Sequence, residues 1–499
     1  MFRYHKILNI SNITDFNTLD YYFSKAKKEI YLVGGCVRDL LLGRTPKDYD
    51  LCTNATPEEV IRILSNVKVT WTEEEAISAY SMGIVLPDRR YSIIETGIKH
   101  GTVTIHDHKS NNFYEITTWR TDGKYSDGRH PDKVTFTPSL EEDMKRRDFT
   151  INSFAYDFIK GDVLMLDGAF LDDLTLGIIR TVGNPYHRFE EDALRMLRAI
   201  RFAAQLNFHI YRETYVAIEV LRAGLCQVSR ERIRDEVTKI LLSDNPHFLE
   251  YIVLTGMEPF IFGPRDCFEG PTPLTDMHRC PHDNPHHYTD VFHHTMDVVK
   301  QLPPVFELRW AALLHDIGKP VVKTPKLGHP GEYSYIGHEK KSVELACVVM
   351  GFLKFSTDQM GKIYDYVLYH DYPIMECSMK KFKQLLVKIG VNNFLEYLQL
   401  RKADAFAHKL TENKEDNKFV VDQMSIAYDR FNLIMKEKHP LTIADLAIDG
   451  NDLLKAGYQG KQIGECLEWA LDKVLVNPKA NTKQGLLDSL KHHKPVDKE

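Results

Sequence analysis

The sequence lacks the features that mark secreted, zinc-ribbon and membrane proteins. None of its eight cysteines forms a C-x-x-C pair, which argues against a disulfide framework and against a four-thiolate zinc site. It has no run of about eighteen apolar residues that would span a bilayer. Its N-terminus lacks the continuous apolar stretch of a signal peptide. We therefore expect a cytoplasmic protein that does not associate with a membrane.

An excess of positive charge is also absent. Lys and Arg number 64 against 70 Asp and Glu, for a formal net charge of −6. This balance excludes a basic chain that coats nucleic acid indiscriminately, but it leaves room for a local basic groove. The 499 residues, of which 43% are hydrophobic, are typical of a globular protein with about three domains.

The segment YLVGGCVRDLLLGRTPKDYD, residues 31–50, is the most informative in the chain. Tyr31–Val33 is typical of a buried strand, and the following Gly34-Gly35 predicts a turn into a helix that begins near Cys36. Two glycines let the backbone approach a ligand closely, and the helix N-terminus offers N–H groups to a phosphate. Arg38 would lie in the first turn and reach the same anion.

Two aspartates follow in the same segment. If Asp48 and Asp50 lie on one strand, their side chains share a face and lie about 7 Å apart. Carboxylates in this arrangement suit Mg²⁺, which takes oxygen ligands and keeps waters for substrate phosphates. Glu115, in the alternating run 113–119, is the candidate third carboxylate. The combination predicts a metal-dependent nucleotidyl-transfer site rather than a solvated loop.

Three ordered motifs carry a resemblance to a known family. They are GGCVRDLLLGRTPKDYD, MKRRDFTINSFAYD (144–157) and RFEEDALRMLRAIRFAAQLNF (188–208). They resemble the motifs of bacterial class II tRNA nucleotidyltransferases, the family of CCA-adding enzymes and bacterial poly(A) polymerases. The resemblance implies an α+β fold, with a mixed-sheet nucleotidyltransferase head followed by all-helical neck, HD body and tail. We place the head at 1–158, the nucleotide-selecting neck at 159–265, the HD phosphohydrolase-like domain at 266–410 and the tRNA-binding tail at 411–499.

Arginines dominate the predicted nucleotide site. Guanidinium binds phosphate oxygens bidentately, and Arg147 follows two other cations at what looks like the start of a helix. In the predicted helix 191–201, Arg195, Arg198 and Arg201 fall within roughly a 120° arc, an arrangement that is also typical of a solvated face. The resemblance implies that Arg147 clamps the triphosphate and that Arg198 and Arg201 lie near the nucleotide phosphates. It also implies that Asp192 and Arg195 act as a protein template that selects CTP or ATP, with Gly35 and Arg38 at the nucleotide.

The segment 119–131 is rich in Gly and Asp. It resembles the flexible loop that helps the family to switch from C to A addition. Bacterial poly(A) polymerases carry a basic G-R-R-F type of segment near this point, and this sequence has none. We therefore favour CCA addition over poly(A) synthesis.

The second half of the chain has the ligand spacing of an HD phosphohydrolase domain. Helical patterns carry the series His294, His315-Asp316 and Asp404, with His338 and His370 as further candidate ligands. Imidazoles and carboxylates from several helices can hold one or two divalent metals that activate a water. Mn²⁺, Ni²⁺, Co²⁺ and Mg²⁺ all suit this set. An HD fold that has lost its metal is the alternative.

The sequence thus predicts a template-independent tRNA nucleotidyltransferase that adds CCA to tRNA 3′ ends from CTP and ATP. Mg²⁺ would bind in the head, and the HD domain would have phosphatase or 2′,3′-cyclic phosphodiesterase activity. The alternatives are a CC-adding, A-adding or poly(A)-synthesising enzyme of the same family. An HD-type nucleotide phosphohydrolase with a regulatory head is the alternative from another class.

Overall fold

The computed structural model describes residues 1–10, 13–72, 74–75, 78, 82, 86–123, 133–263, 272–281, 289–407 and 414–492. It divides into two compact units. Unit 1 comprises Met1–Ile240 and Phe248–Ile261, and unit 2 comprises Leu241–His247 and Phe262–Glu499. No helix in the described part of the chain is both long enough and apolar enough to cross a membrane.

Unit 1 contains short strands separated by helices and turns. The strands are β1 Phe2–His5, β2 Ile30–Val33, β3 Asp50–Thr53, β4 Tyr91–Ile94, β5 Thr102–Asp107, β6 Asn112–Thr118, β7 Arg120–Asp122, β8 Val134–Phe136, β9 Phe154–Asp157, β10 Asp162–Met165, β11 Ile178–Ile179 and β12 His209–Ile210. Eight of them form one mixed sheet in the order β1-β10-β9-β2-β3-β6-β5-β4. In this sheet β3 pairs antiparallel with β2 and parallel with β6. The predicted strand at 31–33 is confirmed as β2.

The sheet forms the core of the head because its central strands are apolar and enclosed. Leu32, Leu51 and Ile116, one from each of β2, β3 and β6, are fully buried. The sheet continues to Met165 through β10, which pairs with both β1 and β9. The head sheet therefore extends beyond the predicted boundary at residue 158, because the hairpin of β9 and β10 spans that position.

The helices up to residue 262 surround the sheet or form the segment that follows it. They are α1 Ile13–Lys25, α2 Gly35–Leu41, α3 Pro57–Leu64, α4 Leu140–Lys145, α5 Ala169–Leu176, α6 Pro185–Glu191, α7 Leu194–Leu206, α8 Arg212–Leu221, α9 Arg230–Leu241, α10 Glu250–Leu254 and α11 Glu258–Phe262. Local signals fix several of their starts. The Ser139 hydroxyl, for example, accepts a hydrogen bond from the Glu142 amide at the start of α4, which satisfies a backbone donor that the helix leaves open.

In the residues of unit 2 that the structure describes, all regular elements are helical except one small hairpin, β13 Thr324–Pro325 with β14 Tyr333–Ser334. Its helices are α12 Pro273–His278, α13 Val291–Gln301, α14 Phe306–Leu314, α15 Lys319–Val322, α16 His338–Phe352, α17 Thr357–Tyr369, α18 Met379–Ile389, α19 Phe394–Ala407, α20 Lys414–Lys436, α21 Gly450–Lys455, α22 Lys461–Val476 and α23 Lys483–Lys491. The last three helices share an apolar cluster that includes Leu453, Ala470 and Leu486. The predicted α+β class, with a mixed-sheet head and helical remainder, is confirmed.

Candidate functional sites

The double glycine lies where β2 gives way to α2. Gly34 has a φ of +75°, which a residue with a side chain adopts only with strain. A Cβ at this position would lie 3.4 Å from Nη1 of Arg147 and 3.9 Å from Oδ2 of Asp50. A guanidinium and a carboxylate thus face this turn at ordinary contact distance from Gly34. Arg38 is buried in α2, where its Nη1 donates to Oδ1 of Asn152 at 2.7 Å.

The predicted carboxylates gather beside this turn. Asp50 is the first residue of β3, and Glu115 is its partner in the parallel register with β6, so the two side chains share a face. Asp48 lies in an exposed bend before the strand. The condition that both aspartates lie on one strand is therefore not met, since β3 begins only at Asp50.

The electrostatics of this acidic group suit a cation. Burial, and then the negative charges of Glu115 and Asp48, raise the pKa of Asp50, while Arg147 opposes the shift. The three carboxylates are not among the described groups whose ligand atoms all lie within 4.8 Å of one another. Mg²⁺ takes oxygen ligands and usually keeps several waters, so an ion here would need substrate oxygens and waters to complete its coordination.

A cavity of about 440 Å³ opens next to Asp50. Of the predicted residues, its lining includes Gly35, Arg38, Asp50, Arg147, Asp192, Arg195 and Arg198. It also includes Gly34, the first residue of the predicted glycine turn, and Arg146, Asp148, Asn152, Phe202 and Arg232, for which the sequence analysis predicted no nucleotide contact. Arg146 and Asp148 flank Arg147 in the chain, so their position next to a predicted ligand was the available signal. Arg232 had no such signal, because it lies in α9, which carries none of the predicted nucleotide ligands.

The basic segment around Arg147 follows a helix instead of beginning one, because α4 runs from Leu140 to Lys145. This corrects the predicted helix start. Asp143, in the last turn of α4, is only 1% exposed. Its Oδ1 accepts from Nε and Nη2 of Arg146 at 2.9 and 2.7 Å, and its Oδ2 accepts from Nη2 of Arg147 at 3.2 Å. Despite its burial, these two guanidiniums hold the pKa of Asp143 below its ordinary value.

A second acid holds another cavity arginine. Oδ2 of Asp148 accepts from Nε and Nη2 of Arg198 at 2.9 and 2.6 Å. Burial opposes ionisation of Asp148, but Arg198 holds its pKa well below the usual range. Two cavity guanidiniums are thus positioned by carboxylates before any ligand binds, and they remain partly exposed. This combination suits recognition of a polyanion.

Arg201, unlike Arg195 and Arg198, does not line this cavity. It stacks on the Phe202 ring and pairs with Glu236 of α9, with 2.5 Å between Nε and Oε2. Asp192 lies in extended backbone between α6, which ends at Glu191, and α7, which begins at Leu194. The predicted continuous helix is therefore interrupted at Asp192, whose carboxylate accepts a hydrogen bond from the Leu194 amide.

The predicted flexible loop 119–131 lies partly outside the described residues. The described flanks form a hairpin of β7 and β8, and residues 124–132 lie outside the description.

In unit 2 the predicted HD residues meet in the helical core. His294 projects from α13, His315 and Asp316 directly follow α14, and Asp404 lies in α19. Two groups of three have their ligand atoms within 4.8 Å of one another, and all members are buried. The first is His294, His315 and Asp404, and the second is Asp316, His338 and His370.

Asp316 connects the two groups. Its Oδ2 lies 3.2 Å from Nε2 of His315, and its Oδ1 lies 3.5 Å from Nε2 of His338 and 3.7 Å from Nε2 of His370. The three imidazoles are oriented by their other nitrogen, since each Nδ1 lies 2.7–2.9 Å from a backbone carbonyl oxygen. This leaves Nε2 directed to the common centre, as in metal sites whose ligands are oriented by outer hydrogen bonds.

The donor chemistry fits one or two divalent cations. The Nε2 atoms of His338 and His370 lie 3.0 Å apart in buried surroundings, and a shared cation would satisfy both lone pairs. Lys319, which is also buried, lies 2.6 Å from Oδ2 of Asp316. A cavity of about 740 Å³ adjoins this centre and is lined by Lys319, His338 and several tyrosines. Substrate could reach the ligands through it.

Comparisons with known proteins match segments of both units. The family model "Poly A polymerase head domain" matches residues 30–84 and 76–180, and "Probable RNA and SrmB-binding site of polymerase A" matches 207–264. A model for domain 2 of the tRNA nucleotidyltransferases matches 339–490.

Among curated relatives, the CCA-adding enzyme of Ligilactobacillus salivarius is 45% identical over 219 residues, which are 44% of this chain and 46% of the relative. That of Lactobacillus delbrueckii subsp. bulgaricus is 42% identical over 260 residues, 51% and 57% of the two chains. The chain spans about half the length of the curated relatives it matches.

Among solved structures, the Bacillus stearothermophilus CCA-adding enzyme in complex with CTP has a TM-score of 0.68 at 24% identity, covering 97% of this chain and 98% of that one. The Thermotoga maritima CCA-adding enzyme complexed with tRNA_CCA has a TM-score of 0.54 at 18% identity, covering 99% of each chain. These likenesses support the fold. The resemblance to tRNA nucleotidyltransferases and poly(A) polymerases predicted from the sequence is confirmed by the three family models, over residues 30–180, 207–264 and 339–490, and by the relatives above 40% identity.

Proposed function

We propose that this protein is a template-independent tRNA nucleotidyltransferase that adds CCA to tRNA 3′ ends from CTP and ATP. The cavity of unit 1 carries this proposal. It combines an acidic edge at Asp50 with guanidiniums at Arg147 and Arg198, and Asp192 and Arg195 also line it. An acidic edge and a basic wall in one cavity are what a metal-bound nucleoside triphosphate requires.

Each group would have a distinct task in the transfer. Asp48, Asp50 and Glu115 would hold Mg²⁺, which supplies the positive charge that favours attack by the tRNA 3′-hydroxyl and departure of pyrophosphate. Arg147 would bind the triphosphate, with Arg146 beside it. Asp192 and Arg195 would contact the base edge, the first as acceptor and the second as donor. We assign the protein to the cytoplasm, where the seven free cysteines of the described residues would stay reduced.

The test is extension of a tRNA that lacks its CCA end, with each labelled nucleotide alone and with CTP and ATP together. We expect two C residues and one A to be added, and we expect Asp50→Ala to abolish all three. Asp172→Ala changes an exposed aspartate of α5 and serves as the matched control. Addition of CC only, A only or a long A tract would support one of the alternative activities instead. No extension at all would refute nucleotidyl transfer.

We propose a second, metal-dependent phosphohydrolase activity in unit 2. The two buried clusters joined at Asp316 favour it, because buried charged groups are either paired with one another or coordinate metals, and here three imidazole Nε2 atoms converge on one carboxylate. Bound Mn²⁺, Ni²⁺, Co²⁺ or Mg²⁺ would activate a water toward a phosphate ester. Residues that line the adjoining cavity, Lys319 among them, would orient that phosphate.

Metal binding tests this second proposal independently of activity. Titration of metal-free protein with Mn²⁺ or Ni²⁺ by calorimetry should show ions bound by the wild type and none at this centre in Asp316→Asn. His329→Gln, which changes a histidine whose side chain is 55% exposed, should bind as the wild type does. Equal binding by Asp316→Asn would refute the metal centre, and binding without hydrolysis of cyclic or monoester phosphates would refute the activity.

A further inference from the structure

The carboxylate of Asp192 is held at both of its oxygens. Oδ1 accepts from the Leu194 amide at 3.0 Å, at the start of α7. Oδ2 accepts from Nη2 of Arg232 at 2.8 Å. Asp192 and Arg232 both line the cavity of unit 1. The orientation of Asp192 is thus determined by one backbone donor and one guanidinium from another helix.

The helix that carries Arg232 is joined to α7 by a second ion pair. Arg232 lies in α9 one turn before Glu236, so the two side chains project from the same face of the helix. Glu236 is 4% exposed and pairs with Arg201 of α7, with 2.5 Å between Oε2 of Glu236 and Nε of Arg201. This pair fixes α9 against α7 in the turn that follows Arg232. The contact between Arg232 and Asp192 is therefore made between two helices that are joined at a second point.

The chemistry of the bases gives this contact a consequence. Cytosine and adenine each present an exocyclic amino donor beside a ring-nitrogen acceptor, whereas uracil presents a carbonyl where cytosine has its amino group. A carboxylate only accepts and a guanidinium only donates. Asp192 can therefore reject uracil only while one of its acceptor lone pairs remains directed at the base. A carboxylate free to rotate could turn away, and a water could take its place.

We propose that Arg232 determines base specificity as a positioning residue that holds Asp192 in the orientation that accepts from the amino group of the base. This inference rests on the proposed nucleotidyl transfer and adds a residue to it. Arg232 would act through Asp192 and would not need to touch the base. Its effect would therefore appear in the choice between nucleotides more than in the rate with the preferred one.

The experiment compares CTP with UTP. In Arg232→Gln we expect the ratio of kcat/KM for CTP over UTP to fall about tenfold or more, since one base-specific polar contact contributes roughly that much discrimination. Arg232→Lys restores a donor and should recover part of the ratio. Arg234→Gln, on the same helix but paired with the exposed Asp235, should keep the wild-type ratio. Thermal unfolding of all variants checks that each is folded.

Two further arms make the inference refutable. If Arg232 acts through Asp192, Arg232→Gln should add no further loss of discrimination in an Asp192→Asn background, whereas independent additive losses would overturn the proposal. Equal losses with CTP and UTP would also overturn it, because they indicate a role in phosphate binding or in folding. Equilibrium dialysis with CTP and UTP gives the ratio of their binding constants without tRNA. A wild type that binds CTP selectively but transfers nothing would therefore refute the nucleotidyl transfer and leave the role of Arg232 to be judged from binding.

Discussion

Asp143 lies behind the cavity, and its replacement by asparagine should affect both stability and nucleotide binding. The carboxylate faces the two guanidiniums of Arg146 and Arg147, and its Oδ1 also accepts from the backbone amide of Arg120 at 3.2 Å. Asparagine keeps the shape but loses the charge. If its oxygen takes the Oδ1 position, its amide nitrogen points at Nη2 of Arg147, so that one donor faces another.

The magnitude follows from burial. Removing one partner of a fully buried ion pair costs about 3–5 kcal/mol, because the remaining charge stays buried. Here the acid is 1% exposed while the arginine side chains are 18–20% exposed, so part of their charge is screened by water. We expect the lower end of that range, about 3 kcal/mol of unfolding free energy, and weaker CTP binding because both guanidiniums lose their common support.

Hydrogen exchange measured by mass spectrometry suits this prediction because it follows β6 and β9 separately from the helices of unit 2. The amide hydrogens of these strands should exchange faster in Asp143→Asn, to the extent that the free energy of opening falls. Glu142→Gln changes the neighbouring acid, whose partner is the exposed Lys145, and should leave the exchange unchanged. Similar exchange in the two variants would refute the reasoning.

The pH dependence of Asp143 gives a second check with a definite sign. The folded protein holds the pKa of this carboxyl below its ordinary value, so its stabilising contribution is fully present above about pH 4, the value for an unfolded aspartate. The contribution is lost as the pH falls through the folded pKa. The stability difference between the wild type and Asp143→Asn should therefore be constant near neutrality and should shrink in acid. A difference that grew in acid would contradict this assignment.

Three other changes give sharp expectations. Gly34→Ala and Gly43→Ala should each lower the unfolding free energy by about 1–2 kcal/mol, since both glycines have φ above +70°. Only Gly34→Ala should impair CTP addition, because a methyl group at Gly43 would meet no other atom within 4 Å. Glu115→Gln should slow transfer at least about tenfold and shift the Mg²⁺ dependence to higher concentration, whereas Glu95→Gln, at an exposed position, should change neither. Arg309→Met should lower the unfolding free energy of unit 2 by about 3 kcal/mol and speed exchange in residues 241–247, because the buried guanidinium donates to the carbonyls of Leu241, Ser243 and Leu302. Lys300→Met is its exposed control.

The buried histidines and aspartates of unit 2 could be predicted as one group because the sequence places them in order on successive helical segments and among apolar residues. His294 and His315 sit among apolar residues at helical spacing, and a polar side chain in such a place needs a partner. The turn at Gly34 was predictable for a related reason, since a strand, two glycines and a helix follow one another directly. In both cases the residues next to the predicted one in the sequence already indicate whether it is buried or lies in a turn.

The arginine cavity was only partly predictable, because its defining contacts join distant positions. Arg198 meets Asp148 across 50 residues, and Arg232 meets Asp192 across 40. In the sequence each of these side chains is indistinguishable from a solvated charge. The sequence analysis could therefore identify candidate phosphate ligands, but it could not predict which acid each arginine would contact.

Those pairings change what the cavity can do. Arg146, Arg147, Arg198 and Arg232 each contact a carboxylate before a nucleotide enters, so the basic wall carries much less net charge than its arginines alone suggest. A strongly charged unpaired wall would attract any polyanion, whereas a paired wall favours a ligand that satisfies several held guanidiniums at once. The same acids that lower the affinity for simple anions thus fix the geometry in which a triphosphate fits. Inorganic phosphate should for this reason compete poorly with CTP, and inhibition by phosphate at concentrations close to the KM for CTP would show that the pairing does not restrict the cavity in this way.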